Sequence, residues 1–146
     1  MDLRPLLLSF PALLCFCSFQ STDVAADAEP LPDAAYEVVE GWPALPDDFA
    51  LFGEAVGVGV DSHGHVFVFH RADRDFNNTE IIPAPTIAVI DGSTGELLAT
   101  FGANQFVVPH GLSIDPDDNL WVTDVALNKV FKLSHDGDLL LAVGSE

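Results

Sequence analysis

The feature that most constrains this chain is a pattern of four short β-like runs that occurs twice. "AVGVGVD", "HVFVFH", "TIAVID" and "ELLATFG" are followed by "GLSID", "LWVTD", "KVFKL" and "LLLAVG", with turns rich in Asp, Asn and Gly between them. Alternating apolar positions, β-branched and aromatic residues and short polar turns point to antiparallel hairpins, because successive side chains of a strand face opposite ways. Gly57-Val58-Gly59-Val60-Asp61 aligns with Gly111-Leu112-Ser113-Ile114-Asp115, Val66-Phe67-Val68 with Leu120-Trp121-Val122, and His70 with Asp124. After an insertion, "DRDFNNTEIIPAP", Ile87-Ala88-Val89-Ile90 aligns with Val130-Phe131-Lys132-Leu133, and Gly95-Glu96-Leu97-Leu98 with Gly137-Asp138-Leu139-Leu140. Each copy closes on an apolar residue and a glycine, Phe101-Gly102 and Val143-Gly144. Four short strands per repeat with a terminal glycine describe a blade of a β-propeller. The expected fold class is all-β, with repeats at about 55–102 and 109–144. Two blades do not close a ring, so further blades are expected from more sequence or from assembly.

Composition narrows the function classes. At 49% apolar residues the 146-residue chain has ample material for a core. Its 23 acidic against 5 basic residues, a net charge of -18, set it against phosphate backbones, so nucleic acid is not an expected partner. Residues 1–20, "MDLRPLLLSFPALLCFCSFQ", hold one early Arg4 and then an uncharged apolar run too short for an ordinary membrane span. They read as a secretory signal peptide, with an uncleaved N-terminal anchor as the alternative, and the expected location is secreted or the secretory-pathway lumen. Cys15 and Cys17 both lie in that run, so the mature chain would carry no disulfide. Residues 21–46 read as an acidic, proline-containing linker, and residues 47–146 as the propeller fragment.

His110 stands out within the second repeat. It directly precedes "GLSID", the innermost strand, between Pro109, which fixes the chain's approach, and Gly111, which permits close packing. In a propeller that position sits at the channel mouth, where equivalent positions of other blades converge. Imidazoles gathered there suit zinc, whereas a hydrogen-bonded histidine at a strand end is the plainer alternative.

"FVVPHGLSIDPDDNLWVTDVALNKVFKL", together with "VGVGVDSHGHVFVFHRAD", resembles the peptidyl-α-hydroxyglycine α-amidating lyase family over roughly Gly41 to Gly144. The resemblance implies a six-bladed propeller of NHL-type repeats, of which about two blades are present. It implies a channel zinc held by three histidines from different blades, the first of them matched by His110. It further implies a calcium ion bound partly by backbone carbonyls, at positions matched by Val58 and Leu112; carbonyl oxygens suit calcium and make residue identity secondary. Arg71, in "FHRAD", matches the arginine beside the substrate, and its planar fork pairs well with a carboxylate. Without the resemblance, Arg71 reads as a surface residue paired with Asp73 or Asp75. The implied reaction cleaves the C–N bond of a peptide ending in α-hydroxyglycine, releasing peptide amide and glyoxylate, with a peptidylglycine monooxygenase as partner. The other two zinc histidines, a side-chain calcium ligand and an active-site tyrosine belong to later blades. Tyr36, in the linker, does not match that tyrosine, so the site is expected to be incomplete in this sequence.

Other residues have simpler readings. Asn77-Asn78-Thr79 is an N-glycosylation sequon in the insertion loop. His63, His65 and His135 read as exposed turn histidines, His70 as a hydrogen-bonded strand end, and Asp117 and Asp118 as hairpin caps. Two other functions compete: a non-catalytic NHL propeller that binds protein or peptide through its loops, and a calcium-dependent lactonase-like propeller with acidic and amide channel ligands. Further channel histidines would select the lyase.

Overall fold

Alternating apolar residues can bury one face of a strand, and stretches apolar at every position bury both. The computed structural model describes residues 37–46, 49 and 53–145. The expected signal peptide and most of the linker lie outside the described residues. Four strands, β1 (Ala55–Val60), β2 (His65–His70), β3 (Ile87–Asp91) and β4 (Leu97–Phe101), form one antiparallel sheet in sequence order. Four more, β5 (Pro109–Ile114), β6 (Leu120–Asp124), β7 (Lys129–Leu133) and β8 (Leu139–Gly144), form a second sheet of the same order. There is no helix among the described residues. This is the all-β, blade-by-blade architecture that the repeat predicts.

The core lies between the two sheets. Phe67, Phe69, Ile87 and Val89 project from the first and meet Leu120, Val122 and Leu133 of the second, with Phe106 of the connection among them. Register shows why these residues share a face: Leu112 pairs Val122, which pairs Phe131, while Ile114 pairs Leu120, which pairs Leu133. Gly57 and Gly59 let β1 approach β5. A Cβ on Gly57 would stand 2.7 Å from the Leu112 amide nitrogen, and one on Gly59 2.7 Å from Leu112 Cδ2. The alternating glycines of "VGVGV" are therefore a packing surface between blades, with about 1.5–3 kcal/mol available from each large side chain that they allow to be buried. On the opposite face of the second sheet Val130, Leu141 and Val143 are exposed.

The repeat extends to its irregularities. A β-bulge falls between Ala55 and Gly57 in the first sheet and between Pro109 and Gly111 in the second. The first turn of each blade is organised by an aspartate: Asp61 Oδ1 accepts the amides of His63 and His65, and Asp115 Oδ1 those of Asp117 and Asn119. Gly64 and Asp118, at the matching turn position, both have positive φ (86° and 59°), which glycine adopts freely and aspartate tolerates. The end of the linker is anchored where Ala44 N–H donates to the Gly95 carbonyl at 2.8 Å, in the β3–β4 turn.

Candidate functional site

His110 is the extra residue of the β5 bulge. Pro109 pairs Asp124 and Gly111 pairs Thr123, which leaves His110 without a cross-strand partner. A bulge bends its strand and re-aims one side chain. Space at Gly111 is tight against the neighbouring strand, since a Cβ there would come within 3.1 Å of Thr123 Oγ1. Pro109 is buried and His110 exposed. The imidazole meets Phe76 edge-on at 6.2 Å between centroids, and no hydrogen bond engages its ring nitrogens among the described residues. An exposed imidazole with both nitrogens uncommitted is chemically suited to ligate zinc, and would be one donor of the set that tetrahedral zinc requires.

The approach to His110 is held by a residue that the sequence marks only as the repeat match of His70. Asp124, almost fully buried at the end of β6, accepts the amides of Val107 at 2.7 Å and Val108 at 2.9 Å with one oxygen, and that of Leu127 at 2.9 Å with the other. A carboxylate that satisfies three N–H groups fixes both the Phe106–Pro109 approach and the following turn. The sequence offers only a faint signal, an aspartate closing "WVTD" where the first repeat has His70. His70 is itself buried, and its Nδ1 accepts the Ala72 amide at 3.1 Å, the hydrogen-bonded role expected of it.

Arg71 lies beside this segment. It is buried, its Nε donates to the Pro109 carbonyl at 3.0 Å, and one terminal nitrogen pairs with Glu54. The pairing with Asp73 or Asp75 does not form; Asp73 pairs with Arg74 instead. The backbone brings Glu54 there: the Arg71 amide donates to the Glu54 carbonyl at 3.1 Å. The guanidinium also lies 5.0 Å from the centroid of the exposed Phe76 ring, so Arg71, Phe76 and His110 share one corner. Neither Glu54 nor Phe76 belongs to a motif, and only their three-dimensional proximity marks them. Asn77, next to Phe76, is exposed in the insertion loop.

Val58 and Leu112 occupy equivalent places. The Asp61 amide donates to the His65 carbonyl, which sets hydrogen-bonded pairs at Gly59/Phe67 and leaves Val58/Val68 a non-bonded pair. The Asp115-to-Asn119 bond does the same for Leu112/Val122. Both carbonyls thus point away from the neighbouring strand, toward the open edges of β1 and β5. Carbonyls so directed fit a hard cation that takes oxygen ligands.

At the other end of the sheets the three histidines read as exposed turn residues come together with Asp61. Asp61 Oδ2 lies 2.8 Å from His65 Nδ1, 2.9 Å from His135 Nε2 and 3.8 Å from His63 Nδ1. One potential ligand atom from each of the four lies within 4.8 Å of all the others. The Asp61 side chain is buried, His65 and His135 half-buried and His63 exposed. Burial by itself would raise the Asp61 pKa, but hydrogen bonds from His135, His65 and His63 outweigh it and hold the carboxyl well below the usual range. This His/Asp cluster could bind a metal ion. Its only local signal is "DSHGH"; His135 arrives 74 residues after Asp61, in the β7–β8 turn.

No family model matches the chain. Peptidylglycine alpha-amidating monooxygenase of Rattus norvegicus is 40% identical over 77% of this chain and 13% of its own length. Peptidyl-alpha-hydroxyglycine alpha-amidating lyase 2 of Drosophila melanogaster is 39% identical over 73% of this chain and 29% of its own length. Lyase 1 of the same organism is 34% identical over 75% and 23%. The chain therefore spans less than a third of each of these curated relatives. Most of its residues align with proteins that carry amidating-lyase or amidating-monooxygenase names, and by sequence it belongs to the peptidyl-α-hydroxyglycine α-amidating lyase family.

Proposed function

We propose that this chain is part of a secreted lyase that cleaves the C–N bond of peptides ending in α-hydroxyglycine, giving peptide amide and glyoxylate. The observation that carries the reading is the His110 bulge, an uncommitted imidazole beside a buried arginine whose backbone tether is the neighbouring Pro109. His110 contributes one zinc ligand, and Val58 and Leu112 contribute carbonyl oxygens to calcium; the remaining ligands come from other blades. Zinc supplies Lewis-acid polarisation of the substrate's hydroxyl or carboxylate. Arg71 receives the hydroxyglycine carboxylate with guanidinium N–H groups not used on Pro109, and Glu54 holds the guanidinium in place until substrate arrives. Phe76 walls the corner against water. As the hydroxyl loses its proton to a base, the carbinol carbon becomes the aldehyde of glyoxylate, and the departing nitrogen takes the bonding pair and a proton to become the peptide amide.

Such a substrate must be supplied by hydroxylation of a glycine-extended peptide, which makes a peptidylglycine monooxygenase the natural partner. Asn77 is a glycosylation site in this secreted setting. The test is to give the native secreted protein, with its metals, a peptide ending in α-hydroxyglycine. Glyoxylate and peptide amide should appear in equal amounts, fall with a chelator and return with zinc. No release above the spontaneous rate would sink the lyase reading and leave a peptide-binding propeller.

A further inference from the structure

We infer that Asp61, His63, His65 and His135 form a second zinc site that staples the two blades together, at the end of the sheets opposite His110. The topology places it there. Asp61 and His63 occupy the β1–β2 turn, His65 begins β2 and His135 lies in the β7–β8 turn, whereas His110 lies in the β5 bulge at the far end, where Pro109 pairs Asp124 and Lys129 pairs Gly144.

The donor atoms are near enough to close on a four-coordinate ion. Zinc with arms of about 2.0–2.2 Å to imidazole nitrogen and carboxylate oxygen has tetrahedral edges of about 3.4 Å. The three edges from Asp61 Oδ2 measure 2.8, 2.9 and 3.8 Å, and all four donor atoms lie within 4.8 Å of one another, so closure around an ion draws the wider pairs together by up to about 1.4 Å, within reach of side-chain rotation. Three neutral imidazoles and one carboxylate are a donor set for zinc, and together with the ion they carry a net charge of about +1 in a chain of -18.

The second blade provides an internal control. Asp115 is the repeat equivalent of Asp61, and its Oδ2 is spent on Trp121 Nε1 at 3.0 Å and Lys132 Nζ at 2.9 Å, all within one sheet. Asp61 has the same turn role through Oδ1, but its Oδ2 faces imidazoles from both blades. Ordinary blade architecture therefore needs the aspartate and not the histidines. Asp118 supports the arrangement from outside: its carboxylate accepts the Ser62 amide at 2.9 Å and the Ser62 hydroxyl at 2.6 Å, tying the β5–β6 turn of the second blade to the β1–β2 turn beside His63. Such outer contacts orient the ligands of metal sites.

The full chain, stripped with a chelator, would be titrated with zinc alone against a chromogenic competitor, and with cobalt alone for its tetrahedral absorption. His110→Ala separates this site from the channel position. His63→Ala removes the most exposed ligand with little risk to folding, and His135→Gln keeps a hydrogen-bonding group toward Asp61. The expected result is one zinc that survives His110→Ala, with affinity weakened on the order of 100-fold by His63→Ala and by His135→Gln. The same zinc should raise the thermal midpoint of the parent chain and not that of His135→Gln. Zinc binding unchanged in both histidine variants, binding lost only with His110→Ala, or no zinc binding at all would overturn the inference. Because the assay reads metal and not glyoxylate, its outcome is independent of the proposed lyase activity.

Discussion

Removing the Asp124 carboxylate should loosen the His110 approach by an amount that its hydrogen bonds set. Asp124 is 2% exposed, and its carboxylate satisfies three amides. A hydrogen bond to a charged group contributes about 1.5–3 kcal/mol, and a buried donor left without a partner costs about 1–3 kcal/mol. In Asp124→Ala the Val107 and Val108 amides, on buried residues, lose their acceptor, whereas that of Leu127, which is only half-buried, regains water. The expected loss is about 3–5 kcal/mol by urea denaturation. Asp124→Asn separates the contributions. Its single oxygen can keep the Val107 and Val108 pair, and its NH2 then confronts the Leu127 amide, for a cost of about 1–2 kcal/mol. Hydrogen exchange reads this directly, since about 1.4 kcal/mol of local stability is a tenfold change in protection. In Asp124→Asn the Leu127 amide should lose about tenfold protection while Val107 and Val108 stay slow. A loss under about 1 kcal/mol for Asp124→Ala, or deprotection of Val107 before Leu127 in Asp124→Asn, would refute the assignment of Asp124 as the brace of the bulge.

Three other outcomes follow from the geometry. Gly57→Ala places a Cβ 2.7 Å from the Leu112 amide nitrogen, so the blades must separate; a loss of about 2 kcal/mol or more is expected in denaturant unfolding, against about 1 kcal/mol for Gly64→Ala, where φ is positive but space is open. Asp115 is held well below its ordinary value of 3.8, first by the Lys132 ammonium and then by the Trp121 N–H. Its contribution is present above about pH 3.8 and disappears as pH falls toward the folded value. Asp115→Asn should therefore be less stable than the parent at pH 7, with the gap narrowing on acidification; a gap that persists unchanged at low pH would contradict this. Glu54→Gln should weaken the hold on Arg71 and lower KM for an α-hydroxyglycine peptide severalfold with little change in kcat, if Glu54 and the substrate carboxylate share the guanidinium.

Where contacts are local in register the sequence was legible, and where they are long-range it was not. Eight strands could be quoted because "HVFVFH" and "TIAVID" advertise buried strands and Asp/Gly turns punctuate them. The bulge at His110 was half legible: proline and glycine mark an irregular strand start, but the extra residue emerges only from the register of Pro109 and Gly111 against β6. Asp124 was hidden because its amide partners lie 16 and 17 residues back, in a connection with no pattern of its own. The Arg71 partner is not legible because sequence proximity favours Asp73 and Asp75, whereas the fold brings Glu54 to the buried guanidinium. The histidine cluster needed both blades, since no spacing rule links "DSHGH" to a histidine in a turn of the next sheet.

The central claim is that the bulge aims His110 at a catalytic metal. Glyoxylate release from an α-hydroxyglycine peptide, measured for the native full-length protein and for its His110→Ala form at matched circular dichroism, tests it most directly. A fall on the order of 100-fold or more, not restored by ordinary zinc concentrations, is the predicted result. Activity retained within a fewfold of the parent would contradict it.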